Sequence, residues 1–382
     1  MRNPLRVAVL FGGRSPEHEV SCVSASSVVE VMDQERFAAI PIWIDKQGNW
    51  HDGETALRVL RPSPNHGDGG GTVKGSSSAG TILLDQKVDV VFPALHGPNG
   101  EDGTVQGLCT VLDIPCVGAG VLSSAICMDK DFTKRICAEN CIPQAPYVVY
   151  RWSDLFPGVL DRQFLQTCRQ EHTTRWAKVY ADIEDRLSYP VFVKPATGGS
   201  SLGVSRAANR ELLIEAMCRA FRYDTKVLVE EAVPARELFV ALLGNEYQEP
   251  RISAIAEVVA FNEFYDYEAK LQEEKHRLHA PADISRLVEQ EVQAIALRAY
   301  RSLGITGTAR MDFFLHTKTG AVLLSEINTL PGFTSCSIYP ELWAVQGLAF
   351  GRCVEELIEL AIQSHTNRKM FMEQWDATMS GE

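Results

Sequence analysis

Three short runs, LRVAVLF (5–11), FAAIPIWI (37–44) and VDVVFPAL (88–95), are apolar almost throughout. A strand that is apolar on both faces must be covered on both faces, the condition of a parallel sheet flanked by helices. The stretch VSCVSASSVVEVM, between the first two runs, has helical spacing. Strand–helix–strand alternation therefore predicts an N-terminal α/β domain with an open parallel sheet and helices on both faces. Gly12-Gly13 ends its first strand.

The chain has 382 residues, enough for two or three domains. It is 45% hydrophobic and 23% charged, the profile of a soluble globular protein. A formal net charge of −12 argues against nucleic acid or an anionic membrane as the main partner. A local basic pocket for a phosphorylated small molecule remains compatible with it. No run is long and apolar enough for a transmembrane helix. The N-terminus reads as a first strand and not as a signal peptide, because its apolar core has no small-residue cleavage site. The ten cysteines form no C-x-x-C pair and read as reduced, buried thiols of a cytoplasmic protein.

The Gly/Ser-rich stretch at 62–81 reads as a flexible surface insertion. A second unit is expected from near Gly120. It would contain one helix over SSAICMDKDFTKRICAENC, an irregular insertion at 151–187, strand YPVFVKPA, helix NRELLIEAMCRAF, and strands KVLVEEAV and RELFVALLG. A third begins near 245 with a long loop and a helix at 284–303. The strands ARMDFFL and AVLLSEIN follow, joined by the turn HTKTG; a closing helix and a frayed polar tail at 366–382 end the chain. The expected units are thus 1–119 (α/β), 120–244 (α+β) and 245–382 (α+β).

The two late strands carry the densest chemistry. Side chains alternate, so Arg310 and Asp312 share one face of the first, and Glu326 and Asn328 one face of the second. An even register would bring all four together; the sequence leaves that parity open. Two carboxylates and an amide oxygen are hard ligands suited to Mg²⁺ on nucleotide phosphates. Otherwise the four form a solvated face with an Arg–Glu pair. In NTLPGFTSCS, Gly332 follows Pro331, and its unobstructed N–H could stabilise an oxyanion or merely close a turn.

FVKPATGGSSLGVS (192–205) spaces Gly198 and Gly203 like P-loop glycines, yet its lysine, Lys194, comes before them. The backbone N–H groups of 198–203 can line an anion. Lys130 in MDKDFTK and Lys270 in YDYEAK could join Lys194 on one triphosphate. His96, in ALHGPNGEDGTVQG, ends an apolar strand where open α/β sheets bind ligands, and is either such a contact or a hydrogen-bonded structural group. In GGRSPEHEVS, Glu19 could meet a substrate ammonium.

Taken together, FGGRSPEHEVS, ALHGPNGEDGTVQG, MDKDFTK, FVKPATGGSSLGVS, VLVEEAVPARE, FYDYEAK, ARMDFF and SEINTLPGFTSCS resemble the D-alanine–D-alanine ligases of the ATP-grasp superfamily. The resemblance implies an ATP-grasp fold in which the glycine loop is a lid over ATP and the lysine rises from the strand beneath it. It implies that Lys130, Lys194 and Lys270 contact phosphates, that Glu230 and Val233 read adenine, and that Glu237 reads the ribose. Asp312, Glu326 and Asn328 would hold two Mg²⁺ ions, with Mn²⁺ as a substitute. One D-alanine carboxylate would take the γ-phosphate as an acyl phosphate, which the second D-alanine amine then attacks. Glu19, with His96 nearby, would hold the first ammonium, and Ser200 would hydrogen-bond toward Glu19. Arg310 and the Gly332 N–H would face the oxyanion, and Ser337 and Ile338 the second carboxylate. A cytoplasmic homodimer acting on small molecules in peptidoglycan synthesis is implied as well.

One position departs from the family. The lysine of FYDYEAK is usually followed by a tyrosine that joins the Glu–Ser network; here Leu271 follows. Relatives that make D-alanyl-D-lactate carry phenylalanine or histidine there. A sister ligase making D-alanyl-D-lactate or D-alanyl-D-serine is therefore an alternative, and a non-catalytic ATP-binding protein a more distant one.

Overall fold

The computed structural model describes residues 3–61, 78–158, 174–260, 276–334 and 336–380. The first unit is built on β1 (Leu5–Gly12), β2 (Phe37–Ile44), β3 (Trp50–His51) and β4 (Val90–Pro93), in the order β3-β2-β1-β4. β1 lies parallel to both β2 and β4, as the doubly apolar runs require, and β3 adds an antiparallel edge. At the end of β1, the Gly12 N–H donates to Ser21 Oγ, which donates to the Ala94 carbonyl. That chain ties β1, helix His18–Val31 and the exit of β4 together.

Gly12 has φ +89°, and a Cβ there would stand 2.3 Å from the Ile44 carbonyl oxygen. Both the left-handed backbone and the backbone clash oppose any side chain. Gly12→Ala is expected to cost roughly 2–4 kcal/mol of stability, read as a lower urea midpoint; an unchanged midpoint would show that the β1–β2 junction yields.

The second sheet comprises β5 (Tyr147–Arg151), β6 (Val191–Pro195), β7 (Ser205–Ala207) and β8 (Lys226–Glu231), antiparallel in the order β5-β8-β6-β7. Odd-numbered Val191, Val193, Val227 and Val229 enter a core of their own with Phe156, Trp176, Ile183 and Met217. Part of the stretch expected to be irregular, 151–187, is thus regular. Helix Thr174–Arg186 buries Trp176, Val179 and Ile183, whose spacing marks one helical face. Residues 62–77 and 159–173 lie outside the described residues, as does most of the expected 62–81 insertion; its end opens helix Ala79–Asp85.

The third sheet holds β9 (Ala235–Gly244), β10 (Arg251–Ile252), β11 (Ala256–Ala260), β12 (His276–His279), β13 (Gly307–His316) and β14 (Val322–Asn328). Its order is β12-β11-β9-β13-β14, with β10 on β9. β9, expected with the second unit, pairs along its whole length with β13. The long helix over SSAICMDKDFTKRICAENC is two helices, Val121–Met128 and Lys130–Glu139. Between them Asp129 is extended and caps the second by accepting the N–H groups of Asp131 and Phe132. Their Cys127 and Cys137 pack with Leu238, Tyr300 and Met311 of the third unit, not with the second sheet. The first and third units also share a core, in which Val9, Phe11 and Phe92 meet Phe239, Tyr339 and Trp343. The second sheet, with its separate core, is left as the piece that faces the rest across a cleft.

The tail expected to fray is helical: helix Phe350–Ser380 meets no glycine or proline between Arg352 and Ser380. None of the described cysteines is in a disulfide; Cys109, Cys127, Cys137, Cys218 and Cys353 are buried, whereas Cys141 and Cys336 are exposed. No described helix is long and apolar enough to cross a membrane.

Candidate active site

A cleft of about 530 Å³ runs between the second and third sheets, with the first unit along one side. β13 and β14 form its floor. Their register pairs Arg310 with Asn328 and Asp312 with Glu326, so the parity is even and the four polar groups share a face. Directly afterwards, between Asp312 and Phe313, a bulge shifts the register. Met311, Phe313 and Ile327 are buried in the core behind. Arg310 donates Nε and Nη2 to the two Asp312 oxygens at 2.7 and 2.8 Å. Arg310, Glu326 and Asn328 line the cleft, while Asp312 is not among the lining residues. Glu326 Oε1 lies 3.6 Å from Lys130 Nζ. Asn328 Oδ1 accepts the Leu330 N–H and keeps a second lone pair. These oxygens fit a hard divalent cation.

The second sheet turns its other face to the cleft. Pairing of Lys194 with Leu228 and of Phe192 with Glu230 puts Lys194 and Glu230 on that face. Glu230 is 3% exposed and lies 2.5 Å from both Lys194 and Lys134. Burial alone would raise its carboxyl; the two ammonium groups outweigh burial and hold it at about 2. Burial likewise opposes the charge on Lys194, and Glu230 keeps its pKa above the ordinary value. Sequence reasoning passed over Lys134; the available signal was its place one turn beyond Lys130 on the same helix.

The glycine loop covers the cleft. Gly198, Ser200, Ser201 and Gly203 all have positive φ. Lys130 Nζ donates to the Gly198 carbonyl at 2.9 Å. Ser200 Oγ donates to Glu17, not to Glu19. Glu17 lines the cleft, whereas the Glu19 side chain is 75% exposed and paired with Lys46 at 2.8 Å. Glu17 stands at the N-cap of helix His18–Val31 and Glu19 in its first turn; two residues advance a helix by about 200°, so the two carboxylates leave on opposite sides. The spacing E-x-E held that information.

His96 is compatible with both readings: its Nε2 is 2.9 Å from Ser24 Oγ, and it lines the cleft. Glu101, not anticipated, lines the cleft beside it and accepts the Gly97 N–H. Gly332, Ser337 and Ile338 line the cleft as well. Ser337 Oγ accepts the Thr334 N–H at 3.0 Å, and a Cβ on Gly332 would stand 2.8 Å from it. Val233 and Glu237 are half-buried and are not among the cleft-lining residues, nor is Glu230. Lys270 and Leu271 lie outside the described residues.

Two α+β pieces around a cleft, with oxygen donors on the floor and a glycine-rich lid above a strand lysine, are the ATP-grasp arrangement. A model of the D-ala D-ala ligase N-terminus matches residues 6–119, and one of the D-ala D-ala ligase C-terminus matches residues 158–359. A D-alanine--D-alanine ligase of Clostridium novyi is 42% identical over 94% of this chain and 98% of its own length. One of Caldicellulosiruptor bescii is 42% identical over 96% and 97%. The solved D-alanine-D-alanine ligase from Coxiella burnetii is 28% identical with a TM-score of 0.78, covering 99% of this chain and 100% of its own. The VanG D-Ala:D-Ser ligase from Enterococcus faecalis is 32% identical with a TM-score of 0.72, over 94% and 99%. The chain belongs to the D-alanine–D-alanine ligase family.

Proposed function

We propose that this protein is an ATP-dependent, ADP-forming ligase that joins two D-alanines for peptidoglycan synthesis, acting in the cytoplasm as a homodimer. The observation that carries the reading is the convergence on one cleft of Lys130, Lys194, Arg310, Glu326, Asn328 and Gly332 beneath a lid that closes on Glu17. Lys130 and Lys194, which line the cleft, would neutralise phosphate charge, and Lys270 is assigned to the same task by resemblance. Adenine is assigned to the segment carrying Glu230 and Val233, and the ribose to Glu237. Asp312, Glu326 and Asn328 would hold Mg²⁺, which supplies charge neutralisation on the phosphates.

In the first step a D-alanine carboxylate oxygen bonds to the γ-phosphorus and ADP departs. In the second, the amine of another D-alanine attacks that carbonyl carbon, inorganic phosphate leaves, and the amine sheds a proton. The protein contributes position and electrostatics. Glu17 takes the role first assigned to Glu19, facing the first ammonium with His96 nearby. The Arg310 guanidinium and the Gly332 N–H face the developing oxyanion. Ser337 and Ile338 face the second carboxylate.

The likeness to a D-Ala:D-Ser ligase and the leucine at 271 favour testing a second reading, a ligase with another acceptor. Purified protein with ATP, Mg²⁺ and D-alanine, challenged with D-serine or D-lactate, is expected to yield D-alanyl-D-alanine as the main product by mass. A dominant mixed product would establish the second reading, and ADP-free mixtures would refute both.

A further inference from the structure

Both ends of the lid rest on one dipeptide, Tyr223-Asp224, in the turn between helix Arg210–Ala220 and β8. At the first foot, Asp224 Oδ2 accepts the N–H and the hydroxyl of Thr197, at 2.7 and 2.8 Å. Asp224 Oδ1 accepts the N–H of Lys226, the first residue of β8, at 3.1 Å. At the second foot, Gly203 lies against the Tyr223 ring. Its φ is +75°, and a Cβ there would stand 2.6 Å from Tyr223 Cδ2 and 2.9 Å from Pro195 Cγ. The ring is half exposed, so burial in the core does not account for its position. The turn itself is closed by the N–H groups of Tyr223 and Asp224 on the Ala220 carbonyl.

The same foot is tied to Lys130. Lys226 Nζ holds both Asp129 oxygens, at 2.8 and 2.6 Å. Asp129 is bridged to Thr197, and the Lys130 N–H donates to the Ala196 carbonyl at 2.9 Å.

We infer that Tyr223 and Asp224 are positioning residues for the lid, pinning Thr197 and Gly203 so that closure is confined to residues 198–202 and returns Ser200 to Glu17 in one register. The inference rests on the reading of this loop as a nucleotide lid. Neither residue lines the cleft, so their effect on the reaction passes through the loop. Releasing a foot lengthens the mobile segment and adds the entropy that closure must remove. A lid that closes loosely also admits water to the acyl phosphate. Hydrolysis then regenerates the carboxylate and releases phosphate without forming a peptide bond.

The test combines amide exchange at 197–204 with and without ADP and Mg²⁺, steady-state kinetics, and the ratio of phosphate released to dipeptide formed. Nucleotide is expected to protect the wild-type lid. Asp224→Ala should lose most of that protection and raise the KM for ATP about tenfold with kcat changed little. Phosphate release should exceed one per dipeptide. Asp224→Asn, which keeps an acceptor oxygen, should recover most of the protection; Thr197→Val and Tyr223→Ala should each reproduce part of the loss. These last two carry the test if Asp224→Ala does not fold. Wild-type protection, KM and stoichiometry in Asp224→Ala, Thr197→Val and Tyr223→Ala would overturn the inference alone. Absence of nucleotide protection in the wild-type loop would overturn the lid reading and the inference together.

Discussion

Arg310→Met is expected to lower kcat by about 10²–10³-fold while leaving ADP binding nearly intact. The guanidinium is held before any substrate arrives: Asp312 accepts two parallel bonds from it, and it lies 5.6 Å from the centre of the Phe239 ring. A donor fixed in this way needs no reorganisation as negative charge develops on the carbonyl oxygen. Methionine keeps most of the volume and removes the charge. Arg310→Lys keeps the charge but loses the planar fork that Asp312 orients, so it should recover only part of the rate. Single-turnover measurement of dipeptide formation at saturating ATP checks this. Full activity in the methionine variant would remove Arg310 from the reaction.

Glu230→Gln is expected to destabilise the fold by about 3–5 kcal/mol, because it leaves two ammonium groups facing a buried amide. Glutamine is nearly isosteric, so a cavity cannot explain the loss. Glu230 and Lys134 are almost wholly buried, and Lys194 is mostly so. The pair of contacts also sets a pH dependence. The Glu230 carboxyl is held at about 2, below its ordinary 4.5, so the unfolded chain binds the extra proton first. Its stabilisation is complete above about pH 4.5 and fades as pH falls toward 2. The wild type should therefore lose stability over that window more steeply than Glu230→Gln. Lys194, held above its ordinary value by the same carboxylate, contributes on the other side, and its share is lost only as pH rises through that raised value. Urea midpoints at several pH values check both arms; parallel acid curves for the two proteins would show that Glu230 titrates normally in the fold.

Much of the layout could be read in advance because the relevant forces are local. Apolar runs ending in Gly12-Gly13 and at His96 marked parallel strands, and β1, β2 and β4 are where those runs lie. The alternation in ARMDFFL and SEIN put Arg310 with Asp312 and Glu326 with Asn328 before any pairing was known. Gly198 and Gly203, both with positive φ, and Lys194 at the end of its strand were legible for the same reason, since unusual backbone angles and strand ends leave residue-type signatures.

Pairing between distant segments left no such signature. The even register of β13 on β14 depends on where the turn closes and on the bulge after Asp312, which alternation alone does not specify. The strand RELFVALLG is apolar enough for either neighbouring sheet; β13, not β8, supplies its partner. The Glu17–Glu19 choice turned on which side of a helix faces the cleft, a matter of packing and not of residue type. Lys134 was passed over because its partner Glu230 is distant in the chain and meets it only in the fold. Local propensity and side-chain periodicity marked most of the strands and the chemistry each could offer, and the quoted motifs carried the family resemblance, but the break at Asp129, helix Thr174–Arg186 and the helical tail of Phe350–Ser380 were missed. Tertiary structure alone decided register, sheet membership and which charges meet, because those follow from contacts between residues tens to hundreds of positions apart, whose energies no short window of sequence contains.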